Sequence, residues 1–167
     1  MAAQGTASII ARRVPRRLSR DWWAGVRITF GLIWLIDGWL EWQPAAFHNF
    51  LQLITAVGQG QPAPLAALIE AGQAVVAVNP VLANGLLAAL ETAIGISLIS
   101  NVLSRWALRI SALIAVGIWV FGQGLGMVFM AGATDIQSGP LYVLASLMLL
   151  KALPARRLYR RTYPSLP

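Results

Sequence analysis

Between Arg27 and Arg105 the chain carries no lysine or arginine, and long apolar runs fill most of the sequence from about residue 23 to residue 150. A helix of roughly 20 apolar residues spans ~30 Å, the thickness of a bilayer core. Apolar residues make up 57% of the chain and charged residues only 11%, against roughly 25% charged in a soluble domain. So few charges leave too little polar surface to coat a soluble fold of this size. The reading is an all-α, integral membrane four-helix bundle with short interfacial helices between the first and second spans. Its spans fall at about residues 23–42, 83–103, 106–130 and 140–155. Residues 1–21 form a basic cytoplasmic segment, polar and partly disordered. Residues 22–153 are the four-span domain and 154–167 a basic cytoplasmic tail.

Breaks between the runs have physical causes. Gln43-Pro44 ends the first, because proline lacks the N–H a continuing helix needs. Ser104-Arg105 turns the second into the third, and Gly139-Pro140 starts the fourth, where proline suits a first helical turn. The fourth run is short and reaches bilayer width only if the helix continues toward Arg156, with Lys151 snorkelling to the interface. Residues 45–82 hold two shorter apolar stretches split by Gly58-Gln59-Gly60-Gln61-Pro62. In the first, Phe47, Phe50, Leu51 and Ile54 share one helical face, and His48, Asn49 and Gln52 lie off it. These stretches read as two helices on the outer interface, with a re-entrant hairpin as the alternative.

The net charge of +7 would suggest nucleic acid in a soluble protein, but its distribution points to the membrane. The cations cluster at Arg12, Arg13, Arg16, Arg17 and Arg20, at Arg105 and Arg109, and at Lys151, Arg156, Arg157, Arg160 and Arg161. With four spans these clusters share one side, and the connections at 43–82 and 131–138, free of Lys and Arg, share the other. Cytoplasmic loops are enriched in Lys and Arg. The expected location is therefore the cell (inner) membrane, with both termini cytoplasmic. The seven tryptophans suit membrane–water interfaces. No small-residue cleavage site follows the first run, so it reads as a retained span rather than a removed signal. Arg27, near the inner end of its span, is expected to snorkel to phosphates.

Acidic side chains in hydrocarbon cost about 2.5–3.5 kcal/mol each on the insertion scale and usually face a cavity or a partner. Asp37 and Glu41 lie on one face of the first span, with Trp34 one turn before them. Glu91 falls ~12 Å inside the second span and Gln123 ~10 Å inside the third. Asp37 is at similar depth in the first. The geometry predicts a polar ligand-binding cluster of Trp34, Asp37, Glu41, Glu91 and Gln123 in the outer third of the bundle. Asp135, Thr134, Gln137 and His48 would form its lid. The plainer alternative is interhelical hydrogen-bond glue. Gly122 and Gly126, with Gly95 and Gly117, offer small-residue positions for close helix packing.

No catalytic residue stands out, and whether the chain is an enzyme is left open. With no cysteine there is no disulfide and no thiolate metal site, and a single histidine cannot supply a self-contained bis-histidine haem site. His48, Met127 and Met130 are the weak metal candidates. The partners expected are the lipid bilayer and either another membrane protein or a second copy of the chain. No nucleic acid is expected.

The run Gly31-Leu32-Ile33-Trp34-Leu35-Ile36-Asp37-Gly38-Trp39-Leu40-Glu41-Trp42 is followed by Pro62-Ala63-Pro64-Leu65 and by Leu90-Glu91-Thr92-Ala93-Ile94-Gly95-Ile96-Ser97-Leu98. Then come Phe121-Gly122-Gln123-Gly124-Leu125-Gly126, Gly132-Ala133-Thr134-Asp135 and Ser138-Gly139-Pro140. As a set, over residues 22–153, these resemble the DoxX-like family, which includes the small DoxD subunit of thiosulfate:quinone oxidoreductase. The resemblance implies a four-helix membrane bundle linked to redox partners and quinones, with Glu91 matching the family's second-helix glutamate. It implies a membrane subunit of a redox-linked complex with quinone as the cofactor to consider. The alternatives are a non-catalytic accessory or assembly subunit and a protein that handles copper or protons. One departure counts against an outer thiosulfate site in this chain alone: a dianion needs Arg or Lys, and the outer side instead holds Asp37, Glu41, Glu70 and Asp135.

Overall fold

A computed structural model describes residues 16–153, so most of the basic N-terminal segment and the basic tail lie outside it. The described residues form six α-helices and no strand: α1 (Arg16–Glu41), α2 (Pro44–Gly58), α3 (Ala63–Ala77), α4 (Pro80–Ser100), α5 (Ser104–Gly117) and α6 (Gly139–Ala152). After α5 the chain continues through a π-helical turn, Ile118–Gly122, and a 3-10 turn, Gly124–Met127. Proline occupies the first turn of α2, α3, α4 and α6, where its missing N–H leaves no bond unmade. Asn79 caps α4 by accepting from the Leu82 N–H at 3.0 Å. The link from α4 to α5 turns through two left-handed residues, Asn101 and Leu103.

Helices α1, α4, α5 and α6 surround one apolar core of Phe30, Trp34, Ile94, Leu98, Ala107, Leu108 and Leu149. The closest pairing is α1 on α4, and glycine makes it possible. A Cβ on Gly38 would sit 2.7 Å from Thr92 Oγ1, and one on Gly95 would sit 2.6 Å from Leu35 Cγ. Both distances are below van der Waals contact, so the helix backbones approach more closely than any side chain would allow. α5 and α6 are tied by the buried pair Ser111 and Ser146, whose hydroxyl oxygens are 2.7 Å apart.

One end of this bundle carries the described cations. Arg27 is 6% exposed and donates from Nη1 to the Ile99 carbonyl at 3.2 Å. Arg105 donates to the Leu150 and Leu153 carbonyls at 3.0 and 2.8 Å. Each arginine thus satisfies carbonyls that the end of a neighbouring helix leaves open. That is a different role for Arg27 from the expected reach to phosphates, and it follows from α4 ending beside it. Arg109 stacks on the Trp106 ring, 4.7 Å from its centroid.

α2 and α3 form a hairpin against α4 and the π turn. The α2 face of Phe47, Phe50, Leu51 and Ile54 is half-buried, and His48, Asn49 and Gln52 are exposed, as the spacing predicts. The Gln73 amide donates to the Ile54 carbonyl, and the Gln61 amide bonds Val57 and Gly124 carbonyls at 3.3 and 3.4 Å.

The α4 and α5 segments, Pro80–Ser100 and Ser104–Gly122, are long and apolar enough to cross a membrane. α1 is longer, at 26 residues, but contains Arg27, Asp37 and Glu41. α6 has 14 residues and ends at Ala152, with Leu153 extended, only ~21 Å of helix; residues 154–156 of the expected span lie outside the described ones. α1 is already helical at Arg16, inside the segment expected to be irregular. The largest departure is in the third apolar run. Helical structure there stops at Gly122 and not at residue 130, because Gly124, Leu125, Gly126 and Met127 all take positive φ. Three glycines at alternate positions weaken the helix and permit that turn. A Cβ on Gly126 would lie 2.6 Å from the Ile136 carbonyl oxygen, and one on Gly124 2.6 Å from Gln61 Nε2. These glycines therefore let backbone meet loop. Gly95 packs α4 on α1 as expected, joined there by Gly31 and Gly38, whereas Gly117 and Gly122 meet no other element.

Outside the core the surface is apolar on every helix: Leu32, Ile36 and Trp39 on α1, Leu86 and Ile96 on α4, Leu113 on α5, and Leu141, Leu144 and Leu147 on α6 are all exposed. Soluble monomers rarely present apolar surface on this scale.

Candidate functional site

Where α1, α4, α5, the π turn and α6 meet, a cleft of about 200 Å³ opens. Trp34, Asp37, Glu41, Glu91 and Gln123 line it, together with Tyr142, Ser138 and a few apolar groups. Helical spacing sets the first wall: Trp34, Asp37 and Glu41 are three and four residues apart along α1 and share a face. Glu91 projects from α4 opposite them. It is 4% exposed, and its Oε2 is buried with no hydrogen-bond partner in the described chain. Trp34 is 1% exposed, and its indole N–H is likewise buried and unpartnered.

Tyr142 closes the third wall. Its hydroxyl donates to Asp37 Oδ2 at 2.6 Å, and its ring meets Trp34 and Phe30 edge-on, with centroids 5.1 and 5.6 Å away. Helical spacing of the acidic residues does not point to Tyr142. The available signal was a phenol among aliphatic residues near the start of the fourth run, since a buried tyrosine hydroxyl usually finds a polar partner.

Gln123 arrives by way of the π turn, a local widening of the helix that often marks functional positions. Its amide donates to Ser138 Oγ at 2.9 Å and accepts from the Gly139 N–H at 3.2 Å. It therefore caps the start of α6, where backbone donors lack helical partners. Trp119, on the same turn, donates to the Ile136 carbonyl at 3.0 Å. A Cβ on Gly139 would stand 2.3 Å from the Trp119 Cβ, so only glycine fits there.

Two turns before Glu91 on α4, Asn84, fully buried, donates to the Glu41 carbonyl at 2.9 Å and leaves its own Oδ1 unpartnered. Trp42 donates to Thr92 Oγ1 at 3.2 Å.

The expected lid is not part of the cleft lining. Asp135 is exposed and turns back to accept from the Gln137 N–H at 2.6 Å, a local turn contact. His48 sits exposed on α2 with Nδ1 2.6 Å from the Pro44 carbonyl. Met130 packs over Gly60 at the α2–α3 turn, and Met127 lies in the left-handed turn after Gln123. Among the described residues no group of three His, Cys, Asp or Glu side chains is placed to hold a metal ion.

The chemistry of the cleft is that of an acceptor-rich hollow. Three carboxyl groups converge with no lysine or arginine on its lining. Carboxyls in such surroundings keep a proton, or meet a donor or a cation. No protein-family model, curated protein or solved structure matches this chain.

Proposed function

We propose that this chain is a multi-pass membrane subunit of a redox-linked complex of DoxX-like type, and that its cleft takes the polar head of a quinone or other lipid-like ligand. α1, α4, α5 with its π turn, and α6 are the four spans. The end bearing Arg27, Arg105 and Lys151 faces the cytoplasm, in keeping with the basic bias of cytoplasmic segments. The cleft opens in the opposite half, and the apolar outer surface meets acyl chains. The observation that carries the reading is Glu91. An acid 4% exposed, with an unpartnered carboxyl oxygen, is expensive in an apolar bundle, and such groups are retained where a ligand or proton uses them. The family assignment rests on the motif set around Asp37, Glu91, Gln123 and Gly139.

Organic extraction of the protein purified in mild detergent tests this directly. The expected result is near-stoichiometric quinone or another isoprenoid lipid from the native chain, and markedly less from Glu91→Gln. Equal, trace recovery from both would reject the ligand reading. The topology is tested separately. The chain has no native cysteine, so single cysteines at positions 102 and 134 should be labelled from opposite faces of the membrane.

A second reading, an accessory subunit that packs against a larger membrane protein, draws on the uncovered α6 row of Leu141, Leu144, Leu147 and Met148. Gentle extraction that yields a lone monomer would count against it.

A further inference from the structure

We propose that Trp106 and Arg109, on the outside of α5, bind the head of an anionic phospholipid of the cytoplasmic leaflet, with an acyl chain lying along the same helix over Leu113 and Val116. The site rests on the membrane reading above and is independent of what the cleft holds. At this end of the bundle Arg27 and Arg105 direct their guanidinium groups at the Ile99, Leu150 and Leu153 carbonyls. Arg109 is different. It is exposed, and its guanidinium carbon lies over the Trp106 ring, 4.7 Å from the centroid. It makes no hydrogen bond or ion pair among the described residues.

The stack fixes where that charge points. Side chains on a helix lean toward its N-terminus and meet neighbours three residues away. Arg109 therefore lies back over Trp106, in the first turn of α5, and its head is turned toward the basic end. Its backbone is rooted ~7.5 Å inside the start of the helix at Ser104. An arginine rooted at that depth with its head turned outward reaches the level of lipid phosphates. An exposed tryptophan belongs to the same layer. The guanidinium carries its N–H donors in a planar fork that meets phosphate oxygens two at a time, and stacking on the indole leaves the edge of the fork free. The Trp106 indole N–H has no partner among the described residues and adds a donor.

The rest of the face singles out a lipid over a free anion. The 3.6-residue repeat puts Trp106, Arg109, Leu113 and Val116 on one side of α5, and all four are exposed. Donors at one end and apolar groups beyond them follow the order of a phospholipid from head to chain. A net-negative head is preferred to a zwitterionic one, because no described carboxylate bonds either group and an ammonium would find only a cation there.

The test mixes the full chain in mild detergent with equal amounts of phosphatidylglycerol and phosphatidylcholine carrying identical acyl chains. Native mass spectrometry then reads the lipid that stays bound. The native chain is expected to favour phosphatidylglycerol by about fivefold or more. Arg109→Gln should cut that ratio at least about threefold. Lys151→Gln removes an exposed charge from α6 and not from this face. It should change the ratio by less than about 1.5-fold, since a charge elsewhere acts only through the screened field. Arg109 has no hydrogen bond to lose, so its variant should keep the native elution profile and melting curve.

An Arg109→Gln ratio equal to the native one would overturn the site. An equal fall in both variants would overturn it in favour of diffuse attraction to the basic end. Displacement of the lipid by glycerol 3-phosphate at matching concentration would overturn it in favour of a free phosphate. Equal retention of the two lipids by the native chain would overturn the site alone. A chain that stays monodisperse without detergent and binds neither lipid would overturn the membrane reading as well.

Discussion

The Tyr142 hydroxyl donates to Asp37 Oδ2 across 2.6 Å, linking α6 to α1 over 105 residues of sequence. The same tyrosine's ring packs edge-on against Trp34 and Phe30 of α1, so the bond and the ring together hold the cleft wall in register. A hydrogen bond to a charged or polar partner in a dry site is worth roughly 1.5–3 kcal/mol. Tyr142→Phe should lower thermal stability in detergent by about that amount, with secondary structure retained in circular dichroism. A melting temperature unchanged from the native chain would show that the bond carries no such weight.

Gly38 faces Thr92 and Ala88 with no room for a side chain. Gly38→Leu should separate α1 from α4 and cost about 3 kcal/mol or more, at or above the ordinary penalty of about 1–3 kcal/mol for overpacking, because backbone atoms of Thr92 and Ala88 stand beside the Thr92 hydroxyl and cannot rotate away. Gly117 meets nothing within 4 Å, so Gly117→Ala should be neutral or slightly stabilising. Comparing the two melting curves separates a packing role from a general effect of removing glycine.

Glu91 should hold function at the expense of stability. Replacing a buried, unpartnered acid by an apolar group removes a desolvation penalty of about 1–3 kcal/mol. Glu91→Leu is therefore expected to melt higher than the native chain while losing ligand retention. A Glu91→Leu protein that melts lower would place the carboxyl in a structural hydrogen-bond network instead.

Asp135 provides a control. Its carboxylate serves the Gln137 N–H and lines no part of the cleft. Asp135→Ala should change the amount of lipid-like ligand recovered by organic extraction by less than about twofold. A larger loss would mean that the 131–138 loop folds over the cleft when ligand binds.

Much of the site could be read from spacing alone, since Trp34, Asp37 and Glu41 needed only the 3.6-residue repeat to share a face. Counting 1.5 Å per residue from each helix end was enough to bring Glu91 and Gln123 toward the same level. Spacing alone holds only along a continuous helix. The run 106–130 reads as one helix, but four positive-φ residues at 124–127 end it. Asp135 consequently belongs to a loop folded on itself, and Gln123 becomes the residue that caps α6. Tyr142 went unnoticed because a phenol acquires meaning only from the carboxyl it meets, and that carboxyl lies on another helix.

Local chemistry by itself determined that the chain is helical, where prolines break it, that its outer surface is apolar, and which acids sit inside apolar runs. Propensity and hydrophobic period act over a few residues and need no distant contact. Only the tertiary structure decided which glycines let helices touch, that Arg27 and Arg105 close the carbonyl ends of other helices, and that Tyr142 meets Asp37. Those outcomes depend on how each helix is rotated and shifted against its neighbours, and the packing of the whole core sets both.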